Sequence, residues 1–482
     1  MGICTGDEYL NRLRDGREVW LGGERVDDVT SHPSLKRGAG SMARLLDRQH
    51  EETLSTRLTY NEPGSEERFA MSFLPPSSVD DVVRRGAAFY DWAKWSNGMM
   101  GRTPDYLNCS FTAFANAAEY FAECRPQFAE NVRNYYAQIR AKDLVLTHTL
   151  VNPQVNRHLT SQGLASPEVA LRVVQETGEG LIVTGARLLA TLGPLSDEIA
   201  VFPSTVLKAD PEMKPYALAF ALPNATPGMK YICRDSYDSG KSLFDAPLSG
   251  RFEEMDCIVV FDNVLVPWDR VFLYDRPELC NRAYAETNAV VHMMHQVVCK
   301  NLAKAEFIVG LLCAMTRASE RDKDIAVQGQ IAEAMWIAES MRAFLYSAEH
   351  QAEQDKWGLY VPLRCPLDTA RNLFPKMYPR LIELVQLLGS SSLMATPCES
   401  DLTNALRPDV EQYLQLAHLN SRDRVALFRL AQDVAVSGFG GRQTLYERFF
   451  FGPPSVMTAS YFKLYDSTEY VERVEELLEP TA

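Results

Sequence analysis

AVFPSTVLK (200–208), YALAFALP (216–223), MKYICR (229–234) and CIVVFDNVLVP (257–267) follow one another through the middle of the chain, and they decide its fold. Each run is of strand length and rich in β-branched and aromatic residues. Turn formers bound them, including Pro223-Asn224 and Asp262-Asn263, so the pattern predicts short strands joined by turns. The flanking texture is helical. From about Thr5 to Glu198, Ser77 and Ser78 stand before Asp80, Asp81 and the apolar series Val82, Val83, Ala87, Ala88 and Trp92, a capping signature opening an amphipathic helix. Ser166-Pro167-Glu168 predicts another helix, closed by Gly178 and Gly180. Beyond Arg282 long helical patterns cover Tyr284 to Ser319, Ile325 to Asp355, Thr369 to Leu388 and Arg422 to Ser437; the third carries Pro375 and Pro379. The fold class expected is mainly α with a β-domain: an N-terminal α-helical domain over 1–198, a middle β-domain over 199–279 and a C-terminal four-helix bundle with a tail over 280–482.

The 482 residues accommodate two to four domains at roughly 100–200 residues each. Lys and Arg number 49 against 63 Asp and Glu, a net charge of −14. With no block of basic residues, that balance argues against nucleic acid and anionic membranes as partners, since both are polyanions. The N-terminal MGICTGDEYL lacks a basic stretch followed by an apolar one, and the longest apolar run, near Ile308 to Met315, falls well short of roughly 18 residues, so a cytoplasmic protein is expected. Ten Cys contain no C-x-x-C pair, and no metal site is expected.

Familiar nucleotide and hydrolase motifs fail on inspection. Gly438-Phe439-Gly440-Gly441-Arg442-Gln443 has Gln in place of the third Gly of a dinucleotide fingerprint and no strand before it. Ser239-Gly240-Lys241-Ser242 has Asp235 where a P-loop needs its first Gly. Three stretches instead concentrate polar chemistry. Thr147 to Arg157, THTLVNPQVNR, sets His148 at the end of a helical stretch before an irregular backbone, which reads either as a capped turn with a satisfied histidine or as a ligand pocket. Arg102 and Tyr106 bracket Pro104, presenting either a cation and a phenol to an aromatic substrate or a surface Arg–Asp pair beside a packed Tyr. Gly438 to Gly452, GFGGRQTLYERFFFG, offers backbone N–H groups and Arg442 to an anion, or else is a helix end leading into a packed aromatic strip.

Together with TGDEYLNRLRDGREVWLGGERVDDVTSHP (5–33), GRTPDYLN (101–108), GARLLATLGPLSDE (185–198) and FDNVLVPWDRVF (261–272), these stretches resemble, nearly end to end, one family. It is the oxygenase components of two-component, reduced-flavin-dependent aromatic hydroxylases typified by 4-hydroxyphenylacetate 3-monooxygenase. The resemblance implies an acyl-CoA-dehydrogenase-like fold with a middle β-barrel, usually a homotetramer. FADH2 would come by diffusion from a separate NAD(P)H:flavin reductase, and O2 would be the co-substrate. A flavin C4a-hydroperoxide would hydroxylate a 4-substituted phenol ortho to its hydroxyl, giving a catechol, with a 4-hydroxyphenylacetate-like substrate favoured. By motif, Arg102, Tyr106 and His148 match the residues that hold the phenol, and Ser204 and Thr205 match a substrate loop. His148, Thr149, Leu150, Gln154, Val155, Asn156, Arg157 and Thr191 match flavin contacts. Gly440, Gly441, Arg442 and Gln443 match a segment reaching the flavin pyrophosphate across a subunit interface.

Two alternatives stand beside that reading: hydroxylation of a tyrosyl group tethered to a carrier protein, and a 4-hydroxybutyryl-CoA dehydratase-like lyase with an iron–sulfur cluster. The second needs three Cys and a His. The chain keeps His292 and Cys299 but has Met99 and Thr103 in place of the other Cys pair, and two ligands do not hold such a cluster.

Overall fold

The computed structural model describes residues 2–153, 169–203 and 207–478. Helices dominate both ends and two sheets lie between them. The helix Val79–Trp95 starts as the sequence predicts: Ser78 is its N-cap, its side chain accepting from the Asp81 N–H, and the Ser77 hydroxyl donates to the Asp81 carboxylate at 2.7 Å. The C-terminal helices also fall close to expectation, at Ala289–Ala318, Ile325–His350, Arg364–Gly389 and Ser421–Ala435. Ala289–Ala318 is buried for most of its length, polar residues such as His292, Lys300 and Lys304 included, so it is the axis against which the others pack. Pro375 and Pro379 lie inside Arg364–Gly389 without ending it. One continuous apolar core runs from Cys4 to Phe439.

The six-stranded sheet has the order Glu24–Val26, Val19–Leu21, Met229–Cys233, Asp256–Pro267, Gly180–Thr191 and Arg172–Glu176. The four-stranded sheet runs Val271–Tyr274, Leu218–Pro223, Glu198–Val201 and Leu146–Thr149. Among the described residues neither sheet closes on itself, so the expected β-barrel is replaced by two open sheets.

Several local expectations change. Ser166, Pro167 and Glu168 lie outside the described residues, and the segment after them is not helical: Arg172–Glu176 and Gly180–Thr191 form an antiparallel pair. The reason is period: Leu171 and Val173 are buried while Val174 is exposed, and Gly178 and Gly180 sit in the hairpin turn that the Thr177 hydroxyl holds by accepting from the Gly180 N–H. Strands of the two large sheets therefore appear from Leu146 onward and not from 199, with Val19–Leu21 and Glu24–Val26 joining from further upstream. Asp262-Asn263 is a bulge within the continuous strand Asp256–Pro267, with Asn263 at φ 51° and the register shifting between Phe261 and Val264, instead of a turn between strands. The strand begun at Glu198 stops at Val201, before Pro203.

Candidate active site

Arg102 and Tyr106 are positioned by the connection between the helices Val79–Trp95 and Asp105–Asn116. The first helix ends where Asn97 and Gly98 turn left-handed, at φ 51° and 69°, and a Cβ on Gly98 would lie 2.6 Å from the Lys304 Cβ, so only glycine lets this loop lie against the long helix. At Gly101 a Cβ would come within 2.2 Å of the Tyr446 hydroxyl. One carboxylate oxygen, Glu254 Oε1, accepts from the N–H groups of Gly101 (2.8 Å) and Arg102 (2.6 Å). Pro104 then opens the second helix, placing Tyr106 in its first turn.

Arg102 is 8% exposed and is not the surface ion pair that its neighbour Asp105 allowed for. Its Nη1 donates to the Tyr446 hydroxyl at 2.8 Å, and its guanidinium carbon lies 4.4 Å from the ring centroids of both Tyr106 and Phe450. Nε has no hydrogen-bond partner, and among the described residues no carboxylate pairs with the guanidinium. Asp105 turns away, and its carboxylate accepts from Gln296 Nε2 at 3.2 and 3.3 Å. Burial pushes it up to about 6.

His148 is on a strand, where a helix end was expected: Leu146–Thr149 runs parallel to Glu198–Val201, with His148 opposite Ala200. Its ring meets Tyr106 edge-on, centroids 5.5 Å apart at 86°. Burial, and then the Arg102 charge, hold the imidazole well below its usual range, so it is neutral at pH 7, and its Nδ1 is buried with no partner. Burial pushes the Tyr106 phenol up to about 12. The result is an aromatic box holding an uncompensated cation and an unpaired imidazole nitrogen, the chemistry that an acidic aromatic hydroxyl satisfies.

The residues matched to flavin divide. Thr149 donates its hydroxyl to the Leu189 carbonyl at 2.8 Å, and the Leu150 carbonyl accepts from Arg187 at 3.0 Å. Thr191 donates to Asp256 at 2.7 Å. Gln154, Val155, Asn156, Arg157, Ser204 and Thr205 lie outside the described residues. Gly440, Gly441, Arg442 and Gln443 occupy the start of the helix Gly438–Phe449, capped by Ser437, and not a helix end. A Cβ on Gly440 would strike the Val434 carbonyl at 2.2 Å, so this glycine serves close packing. Arg442 is spent inside its own chain: Nε and Nη2 donate to Asp256 at 2.9 and 2.7 Å, and Nη1 to Glu254 at 3.0 Å. Gln443 donates to the Met99 carbonyl and accepts from Lys304, both at 2.8 Å. Tyr446 and Phe450 complete the box. Both lie in the stretch 438–452, where nothing local marks either ring for a role, and Glu254, in an ordinary acidic run, carries no signal in the sequence.

The cluster-bearing alternative meets a different environment. His292 Nδ1 lies 2.6 Å from Arg85, a buried cation, and His295 Nε2 lies 2.7 Å from Glu349. Cys299 sits close to His295 and Glu349, but a metal taken by His295 Nε2 would put the proton on a buried Nδ1 that has no acceptor.

The layering of helices, two sheets and a helical bundle is acyl-CoA-dehydrogenase-like. The oxygen-tolerant 4-hydroxybutyryl-CoA dehydratase of N. maritimus shares it, with a TM-score of 0.88 over 100% of this chain and 95% of that one, at 17% identity, a likeness of fold alone. Within that class the assignment is specific. The models of the 4-hydroxyphenylacetate 3-hydroxylase N-terminal and C-terminal regions match residues 5–273 and 280–479, and the chain belongs to this family. It is 48% identical over 475 residues to the 4-hydroxyphenylacetate 3-monooxygenase oxygenase component of Thermus thermophilus, covering 98% of this chain and 97% of the relative. A solved structure of such a component, complexed with FAD and 4-hydroxyphenylacetate, matches with a TM-score of 0.94 at 47% identity, covering 99% and 98% of the two chains. A Streptomyces globisporus monooxygenase whose named substrate is a chlorohydroxyphenyl group on a peptidyl-carrier protein is 33% identical over 459 residues, covering 93% of this chain and 85% of the relative.

Proposed function

We propose that the chain is the oxygenase component of a two-component FAD-dependent aromatic monooxygenase, hydroxylating a 4-hydroxyphenylacetate-like phenol to a catechol with FADH2 from a separate reductase. One observation carries the reading: among the described residues Arg102 holds a buried charge with no carboxylate, beside a neutral His148 whose Nδ1 lacks a partner. The strand end His148 to Leu150 and the unpaired buried atoms fit the polar edge of a flavin ring, whereas all three guanidinium nitrogens of Arg442 are already engaged by carboxylates of the same chain. Reduced FAD, when bound, supplies the activation of O2 that delivers an electrophilic oxygen.

The residues prepare the ring for that oxygen. His148 Nδ1 accepts the phenol proton, and the neutral imidazole has a free lone pair to do so at pH 7. Arg102 stabilises the resulting oxyanion, whose electron density activates the ortho carbon. Tyr106, un-ionised, orients the oxygen, while Phe450 and Tyr446 keep water from the ring. Ser204 and Thr205 belong to this reading as the substrate loop. Gln154 to Arg157 and Thr191 belong to it as the flavin side, and Gly441, open to solvent, is what remains of the pyrophosphate segment.

A homotetramer is part of the proposal. The helix Pro454–Leu464 packs against Arg364–Gly389, where Tyr461 meets the Thr369 hydroxyl, but no described residue of Thr468–Leu478 is buried, and Val471, Val474, Leu477 and Leu478 form an apolar face that a second copy of the chain would cover. Among the described residues no helix is long and apolar enough to cross a membrane, and the reading places the enzyme in the cytoplasm.

The test supplies FADH2 from any reductase, O2 and a panel of phenols, and follows catechol against H2O2. Catechol from a free 4-substituted phenol is expected; peroxide alone from every phenol sinks the free-phenol reading and points to a carrier-tethered substrate. His148→Ala is expected to bind reduced flavin and lose about 10²–10⁴-fold in hydroxylation, the range of a positioned base. Survival of hydroxylation would remove His148 from the phenol.

A further inference from the structure

We propose that Glu254 is the positioning residue of the site: its carboxylate clamps the backbone of Arg102 and is held off the guanidinium, so that the side chain's charge stays available to the substrate oxygen. The inference rests on the reading of Arg102 as a substrate-facing group. Glu254 is fully buried and closer to Arg102 than an unrelated structural carboxylate needs to be, since one oxygen takes both the Gly101 and Arg102 N–H groups. A buried carboxylate next to a buried guanidinium would ordinarily pair with it, and the pair would neutralise the charge that an oxyanion requires. Here the second oxygen is taken by Arg442 Nη1 at 3.0 Å, and Arg442 is itself fixed by Asp256. Both carboxylate oxygens are thus engaged, from two sides, and the Arg102 side chain is left to Tyr446 and the rings of Tyr106 and Phe450.

The backbone is built for this division. Met255 stands between Glu254 and Asp256 in the left-handed region, at φ 51°, a conformation that is strained for an L-residue. The turn spreads three carboxylates over overlapping partners: Glu253 to Arg234, Glu254 to the Arg102 loop and Arg442, and Asp256 to Arg442, Arg234 and the Thr191 hydroxyl. Thr191 was matched to the flavin and Arg102 to the phenol. Glu254 and Asp256, on either side of Met255, therefore tie the strand on the flavin side to the loop on the substrate side.

The test is a double-mutant cycle on the full-length protein with FADH2, O2 and 4-hydroxyphenylacetate, reading kcat/KM for the phenol, the ratio of catechol to H2O2, and flavin affinity. Glu254→Ala is expected to lower kcat/KM about 10–100-fold, as displacement of a positioned group does, and to shift product toward H2O2 with flavin affinity kept. In the Arg102→Ala background the same change is expected to add less than about twofold, because nothing is left to position. Losses that multiply across the cycle overturn the proposal, as does a Glu254→Ala variant that loses flavin affinity and turnover in parallel. If Glu254→Ala does not fold, Glu254→Asp enters the same cycle: it keeps the charge beside Arg442 but is one methylene too short to span both partners. An Arg102→Ala enzyme with wild-type kcat/KM would refute the role of Arg102 itself, whereas an impaired Arg102→Ala beside a normal Glu254→Ala would refute the positioning role alone.

Discussion

Two buried groups of cations lie side by side in this molecule and are treated in opposite ways. Lys300 and Lys304, on the long helix, both donate to Glu447, at 2.6 and 2.5 Å, and Arg234 and Arg442 share Glu253, Glu254 and Asp256. Arg102 shares the same surroundings and has rings and a hydroxyl for partners instead of a carboxylate. Burying a charge is expensive unless it is paired, so the paired groups fasten the helix Gly438–Phe449 to its neighbours, while the unpaired one marks where a ligand completes the set. The difference identifies a site more sharply than burial does, because Lys300, Lys304 and Arg442 are as buried as Arg102.

Breaking the paired side is expected to have the largest effect. Glu447→Ala strands two ammonium groups in the interior, already 1% exposed, and the loss of stability is expected to be about 3–5 kcal/mol. Thermal unfolding of the holoenzyme measures it, and a melting temperature equal to wild type would mean that water reaches Lys300 and Lys304. On the unpaired side, Arg102→Lys keeps the charge but loses the planar fork that donates to Tyr446 while lying over two rings. The expected cost is about 10–100-fold in kcat/KM, roughly 1.4–2.8 kcal/mol, with little change in melting temperature. A Lys enzyme with unchanged catechol yield would show that charge alone suffices.

Much of this was legible in the sequence, and the limits have physical causes. The long C-terminal helices announce themselves because a period near 3.6 persists over many turns, and Ser78 caps where a Ser before two Asp should. The hairpin at Arg172–Thr191 was misread because Ser-Pro-Glu is a strong local helix signal, while the decisive alternation of Leu171, Val173 and Val174 spans only a few residues. Asp262-Asn263 looks the same as a turn or as a bulge until the partner strand is known. Arg102, Tyr106 and His148 stand out in two separate motifs and do meet in space. That Arg442 is spent on Glu254 and Asp256 was not readable, because the contact joins residues 188 and 186 positions apart.

Asp105 sharpens the comparison from the other sign. It is a buried carboxylate without a cation, three residues from a buried cation without a carboxylate, and the two do not pair. Its partner is the neutral amide of Gln296, which stabilises the ionised form less than a guanidinium would, so burial prevails and raises it from 3.8 to about 6. The sign follows: with the folded value above the unfolded one, the carboxyl contributes stability below about pH 4 and loses it as pH rises to about 6. His148 and His292 act the other way, since both are held well below their usual range and their stabilisation is lost as pH falls below about 6.5. Asp105→Asn keeps an acceptor for Gln296 and removes the buried charge. Its melting temperature relative to wild type is therefore expected to be higher at pH 7 than at pH 4.5, by the equivalent of about 2 kcal/mol. A difference independent of pH would mean that Asp105 is ionised at both, and that Arg102 reaches it through the site after all.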